Sequence, residues 1–275
     1  MFEVEDLTPR VASQVFTDRE TLLSGTHADE LRELLVARGV IVMRGIAFDL
    51  DQQRAFTETL GNVRPGIEYE TGPRGLLKVR ELLGARWWHS DVLYDVVPPF
   101  ASVLTPYVIA PEGGQTEFAN TYAAYEDLPA DEQEYLSTLE VVCSMKVAQD
   151  KFNPDASIEE LEGWARYRQV NPLVWRHGSG HRSLVLGASV SHVLGLQPYD
   201  SFELLDRLVE HATQPQFVYR HEWEEGDVVI WDNTGTMHRV LPYDLACGRE
   251  LHRFTIEGVE SLASEPATAE LSPAM

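Results

Sequence analysis

Two periods of apolar spacing run through this chain. Residues 27–39 set Leu31, Leu34 and Leu35 on one side at helical spacing and stop at Gly39, which predicts a helix with a glycine cap. Residues 39–44 follow as a short apolar β-rich run, and 51–60 as a second helix opening on the acidic residue Asp51. After Pro98-Pro99, residues 100–110 are rich in Val, Leu, Tyr and Ile and predict a buried strand. Gly113-Gly114 then predicts a turn into a strand carrying Thr116, and a glycine pair in a hairpin needs no further function. Residues 122–139 predict two short helices broken at Leu128-Pro129-Ala130, with Asp131, Glu132 and Glu134 on a solvated face. A longer helix is predicted over 199–212, where Tyr199, Phe202, Leu205, Leu208 and Val209 keep helical spacing.

Strands crowd the second half. They are predicted at 172–174 and 183–186 around Gly178-Ser179-Gly180, at 217–223 and 227–232 around Glu225-Gly226-Asp227, and in the run that ends at Gly258. Residues 146–170 are polar and irregular, with Asn153-Pro154-Asp155, and predict a mobile insertion that shapes access to a site. From 261 to 275 the chain is small and polar, a frayed tail. No internal repeat is visible. The pattern predicts a single domain, mainly β with flanking helices (α+β), around a double-stranded β-helix or jelly-roll core.

The chemistry-bearing residues stand at strand positions of this pattern. In Trp87-Trp88-His89-Ser90-Asp91 an imidazole and a carboxylate lie two residues apart, and on a strand such residues share a face. A third ligand candidate, His238, closes Trp231-Asp232-Asn233-Thr234-Gly235-Thr236-Met237-His238. Two histidines and one carboxylate cover one face of an octahedron and leave the rest open, the arrangement of non-haem Fe(II) oxygenases. Read alone, His-x-Asp is weak in a chain with nine histidines. Downstream, Arg249, Leu251, Arg253 and Thr255 share one strand face, and two guanidinium groups on one face suit carboxylate recognition, or else ion pairs with the abundant acids.

These residues resemble the taurine dioxygenase (TauD/TfdA-like) family of Fe(II)- and 2-oxoglutarate-dependent dioxygenases. The resemblance runs from Gly39-Val40-Ile41-Val42-Met43-Arg44-Gly45 to Gly258. It rests on Trp88 to Val92, on Pro111-Glu112-Gly113-Gly114-Gln115-Thr116-Glu117-Phe118-Ala119-Asn120, on Trp231-Asp232-Asn233 with His238, and on Arg249 through Arg253. It implies His89, Asp91 and His238 as iron ligands. It also implies Thr116 and Arg249 as partners of the distal carboxylate of 2-oxoglutarate, and Arg253 as the contact for an anionic group of a small-molecule prime substrate. Tyr94 and Val92 become pocket walls, with Arg86 and His192 as weaker candidates. The implied reaction couples oxidative decarboxylation of 2-oxoglutarate by O2, to succinate and CO2, with C–H oxidation, hydroxylation by default. An intact Asp91 disfavours halogenation, in which a small residue replaces the carboxylate. The 61–69 region lacks the histidine with which taurine enzymes contact sulfonate, so taurine itself is disfavoured.

Composition narrows the partners. With 22 Lys and Arg against 44 Asp and Glu, the formal charge of −22 argues against a nucleic-acid partner, which needs a basic surface, though a local arginine pair can still attract a small anion. The acidic amino terminus, Met1-Phe2-Glu3-Val4-Glu5-Asp6, is not followed by an apolar run, which predicts neither a secretory signal nor a membrane span. Cys143 and Cys247 are too few for a disulfide framework, so a reducing, cytoplasmic setting is expected; self-association into a homo-oligomer stays open. Two other classes remain compatible with the sequence. A zinc-dependent cupin-like hydrolase would use the same triad without Thr116 or Arg249 and would ignore 2-oxoglutarate, and a non-catalytic β-helix binding module would hold no metal.

Overall fold

The structure, a computed structural model, describes residues 1–65, 77–79, 83–151, 153 and 155–262. In chain order it opens with β1 (Glu3–Asp6), β2 (Ser13–Phe16), α1 (Arg19–Leu23), α2 (Ala28–Arg38), β3 (Val40–Met43), α3 (Leu50–Leu60) and β4 (Leu77–Val79). Next come β5 (Ala101–Val108), β6 (Thr116–Asn120), α4 (Thr121–Glu126), α5 (Ala130–Leu136), β7 (Glu140–Ser144), α6 (Met145–Asp150) and α7 (Ile158–Ala165). The last third holds β8 (Arg168–Pro172), β9 (Val174–Arg176), β10 (Arg182–Leu184), β11 (Val190–Val193), α8 (Pro198–Ala212), β12 (Val218–His221), β13 (Val228–Asp232), β14 (Thr236–Val240) and β15 (Glu250–Ile256).

Seven strands form one sheet in the order β1-β2-β3-β13-β5-β15-β4, antiparallel except where β2 meets β3. The sheet β12-β6-β14 packs on one of its faces, and β11-β7-β8 and β9-β10 complete the strands among the described residues. The runs Val40 to Met43 and Val228 to Trp231 are apolar without alternation because both faces of the large sheet are covered. Val40, Val42, Val229 and Trp231 meet Phe118 of the second sheet, whereas Ile41, Met43, Val228 and Ile230 meet Leu22, Leu35 and Phe56 from α1, α2 and α3. A third apolar cluster, with Trp175, Leu184, Leu208 and Phe217, gathers under α4 and α8.

Several expectations change at this level. Asp49, not Asp51, caps α3: its carboxylate accepts the Gln52 N–H while the Gln52 side chain accepts the Asp49 N–H. The 146–170 stretch is not irregular but carries α6 and α7, the latter opened by a capping box between Ser157 and Glu160. β1, β2, α1, β7 and β11 are not among the predicted elements; β1 exposes all four residues and so shows no apolar period. Of the expected tail, the Leu262 side chain is buried and its N–H donates to the Val96 carbonyl at 2.9 Å, while 263–275 lie outside the described residues. So does the 61–69 region from residue 66 onward. No helix among the described residues is long and apolar enough to cross a membrane.

Candidate metal centre

His238 sits in the middle of β14, and the backbone of His89 pairs with it although His89 belongs to no strand. The His89 N–H donates to the His238 carbonyl at 3.1 Å and the His238 N–H returns to the His89 carbonyl at 2.7 Å, which sets the two rings 4.2 Å apart. Asp91 follows in a turn, so the strand alternation expected to join it to His89 is not what does so. Asn233 does that work from the turn between β13 and β14. Its side-chain oxygen accepts the Asp91 N–H at 2.6 Å, and its side-chain nitrogen donates to the carbonyls of Asp91 (3.0 Å) and Pro99 (3.1 Å). The next residue, Val92, has φ +58°, a left-handed conformation that a β-branched side chain adopts only under constraint.

The three side chains converge. Their nearest ligand atoms lie within 4.8 Å of one another, with His89 Nε2 at 3.8 Å from Asp91 Oδ1 and His238 Nε2 at 3.9 Å from Asp91 Oδ2. His89 Nδ1 is 2.7 Å from the Trp87 carbonyl, which only accepts, so Nδ1 carries the proton and Nε2 presents its lone pair. Burial, reinforced by the neighbouring His89, holds the His238 pKa well below its ordinary value and keeps the ring neutral. Burial acts to raise the pKa of Asp91, but the charge of Arg253, which also donates a hydrogen bond to it, outweighs burial and holds the carboxyl at about 2. A neutral His238 and an ionised Asp91 are protonation states that binding of divalent iron requires.

A second cluster lies at the far end of the same strands. Arg249, 4% exposed, donates from Nη2 to the Gly114 carbonyl at 2.9 Å, and its guanidinium carbon stands 4.8 Å from the Tyr243 ring centroid. The glycine pair is more than a hairpin turn. A Cβ on Gly114 would stand 2.9 Å from Arg249 Nε, and one on Gly113 would overlap the Pro242 carbonyl oxygen. Thr116 accepts the Trp223 indole N–H at 3.1 Å. Since indole only donates, the Thr116 hydroxyl keeps its own proton to give to an anion. Trp223 and Arg249 line a cleft of about 210 Å³.

The model of the Taurine catabolism dioxygenase TauD, TfdA family matches residues 3–255. The chain belongs to the TauD/TfdA family. An alpha-ketoglutarate-dependent 2,4-dichlorophenoxyacetate dioxygenase of Cupriavidus pinatubonensis is 35% identical over 263 residues, which cover 86% of this chain and 91% of the relative. An alpha-ketoglutarate-dependent sulfate ester dioxygenase of Pseudomonas putida is 33% identical, covering 86% and 82%. Among solved structures, AAD-2 in complex with Mn(II) and N-oxalylglycine matches with a TM-score of 0.85 at 30% identity, over 96% of this chain and all of that one. As a TauD/TfdA member the chain is a 2-oxoglutarate-dependent non-haem iron dioxygenase, with Fe(II), 2-oxoglutarate and O2 as its cofactor and cosubstrates.

Among the remaining candidates, Arg253 reaches the centre directly: Nη1 donates to Asp91 Oδ2 at 2.9 Å. The guanidinium thus holds one carboxylate oxygen of Asp91. Tyr94 packs against the third apolar cluster and meets Tyr167, from the 146–170 stretch, edge-on at 6.4 Å. Arg86 is half-buried, and His192 is exposed with Nδ1 on Ser191 Oγ. Asn233, Gly114 and Trp223 carry no role in the sequence reading, although the first two fall within its motifs; the Trp-Asp-Asn run ahead of His238 is the signal that points to Asn233. A larger cavity of about 370 Å³, lined by Phe100, Tyr122, His177 and Glu260 among others, touches none of the three ligand residues and reaches Thr234, the residue after Asn233.

Proposed function

We propose that His89, Asp91 and His238 hold the iron, that Arg249 and Thr116 hold the distal carboxylate of 2-oxoglutarate, and that Arg253 meets the acid group of a small organic anion, the prime substrate. The observation that carries the reading is the convergence of two proton-poor imidazole nitrogens and one ionised carboxylate at the meeting of β14 with the His89 segment. When bound, iron and 2-oxoglutarate supply the oxidising power, taken from O2 as the cosubstrate loses CO2. The protein does the rest. Trp87 fixes the His89 tautomer, Asn233 fixes the Asp91 backbone, and Arg253 occupies one Asp91 oxygen while the other faces His89.

The substrate reading draws on the relatives. Their names carry a carboxylate, in 2,4-dichlorophenoxyacetate and (S)-phenoxypropionate, or a sulfate ester, so an acid group is the shared element. In this chain Arg253 is the cation beside the ligand set, with Val92 and Tyr94 as flanking walls, and C–H hydroxylation is the reaction assigned. We read residues 1–275 as one domain whose core is a double-stranded β-helix, with 146–170 as a mobile insertion at its mouth. Both cysteines are free, which suits the cytoplasm, where thiols stay reduced and iron stays ferrous. Anaerobic addition of Fe(II) and 2-oxoglutarate tests the assignment through the visible charge-transfer band of the chelate. A band in the wild type that is lost in His238→Ala supports it. Absence of the band, together with zinc-dependent hydrolysis indifferent to 2-oxoglutarate, would replace it with the hydrolase reading.

A further inference from the structure

Three buried polar atoms beside the ligand triad have no hydrogen-bond partner: Trp231 Nε1, His238 Nδ1 and Arg253 Nε. They belong to one patch. The Trp231 and His238 ring centroids are 4.7 Å apart, and the Arg253 guanidinium carbon is 6.0 Å from the Trp231 ring centroid. Arg253 Nη1 and His238 Nε2 meet the same oxygen of Asp91, at 2.9 and 3.9 Å. Trp231 is 1% exposed and otherwise packs on apolar neighbours such as Phe118, a position that phenylalanine would fill without stranding an N–H.

The three orphans are alike in kind. An indole nitrogen and an arginine Nε only donate, and His238 Nδ1 carries the proton when Nε2 gives its lone pair to the metal. A single buried water does not balance such a set, because it accepts about two bonds and brings two protons that need acceptors of their own. A carboxylate accepts about four and brings none. An acid group suits such a set better than water does.

We infer that Trp231 is an anion-binding residue of this active site. Its Nε1–H joins Arg253 in donating to one acid group held beside the metal ligands, either the carboxylate of 2-oxoglutarate nearest the metal or the acid group of the prime substrate. The inference deepens the assignment of Arg253 above and rests on it only for the second donor.

The test uses full-length, 15N-labelled protein loaded with Zn(II). Six tryptophans give six indole N–H signals, and Trp231→Phe identifies the one of interest. If that variant fails to fold, Trp→Phe changes at the other five positions assign the signal by elimination. 2-Oxoglutarate is added to saturation, then 2,4-dichlorophenoxyacetate as a probe acid, with calorimetry following each. The Trp231 signal is expected to move downfield at one addition, which names the source of the anion. Trp231→Phe is expected to weaken that anion's binding roughly tenfold or more while leaving Zn(II) affinity unchanged. A Trp231 signal unmoved by both additions, with wild-type 2-oxoglutarate affinity in Trp231→Phe, overturns the inference. Arg253→Lys separates the two readings. If it leaves acid binding intact while the Trp231 signal still moves with 2-oxoglutarate, the substrate role of Arg253 fails and the inference stands. Weakened acid binding in Arg253→Lys beside a silent Trp231 signal means the converse: the substrate role of Arg253 stands and Trp231 binds no anion.

Discussion

The two ends of the candidate site are built differently. At the Arg249 end the polar groups already have partners: the guanidinium rests on the Gly114 carbonyl and the Tyr243 ring, and the Thr116 oxygen accepts from Trp223. At the triad end His238 Nδ1 and Arg253 Nε have none, and Val92 holds a left-handed backbone. The first end is an anchor finished before its ligand arrives. The second is completed by what it binds, so its geometry and its stability depend on occupancy.

Changes to the triad should have the largest effect. His89→Ala, Asp91→Ala or His238→Ala is expected to cut coupled turnover under limiting iron by roughly a thousandfold or more, about 4 kcal/mol, with circular dichroism showing a folded protein. Wild-type rates in all three would remove the triad from the chemistry. At the anchor, Arg249→Ala should weaken 2-oxoglutarate by about 2–5 kcal/mol, read as a dissociation constant. Gly114→Ala should act in the same direction and by less, because its Cβ would crowd Arg249 Nε rather than delete it.

Titration of Asp232 probes the turn that carries Asn233. Burial raises its carboxyl pKa to about 6 even though Thr234 and Tyr122 hydrogen-bond to it. A folded pKa above the unfolded value of 3.8 means that its contribution is full below pH 4 and is lost as pH rises through 6. The unfolding free energy of wild type relative to Asp232→Asn should therefore fall between those values, by roughly 3 kcal/mol at most. A flat difference would show that Asp232 keeps its ordinary pKa. The smallest effect expected is that of Trp223→Phe. Losing the bond that turns the Thr116 proton outward should cost about 1 kcal/mol, roughly a fivefold rise in KM for 2-oxoglutarate, with kcat unchanged.

How much of this was legible in the sequence depends on where the information lies. β3 and β13 were readable because strands covered on both faces leave unbroken apolar runs, and α2 and α8 because apolar residues recur at helical spacing, although Tyr199 and Phe202 of α8, read as core from that spacing, are exposed. The metal ligands were readable as residue types, but the geometry inferred for them was not the geometry found. His89 and Asp91 are held by a bridge to β14 and by Asn233, contacts 142 to 149 residues distant in sequence, instead of by strand alternation. Gly113 and Gly114 looked like ordinary turn residues because the atoms that forbid a Cβ there, Pro242 O and Arg249 Nε, come from another part of the chain. The capping box of α7, Ser157 with Glu160, is a local signal that the reading of 146–170 as irregular passed over.

The strand order carries a consequence for how the enzyme is made. β3 pairs with β13 through Ile41 and Ile230, and β5 with β15 through Val103 and Phe254, so the large sheet closes only with segments synthesised last. Until those residues leave the ribosome, the apolar strand 40–43 lacks its β13 partner, His89 has no His238, and iron has no complete site to occupy. Such long-range pairing folds slowly and leaves strand edges open to other chains. Iron loading is thereby confined to the finished polypeptide.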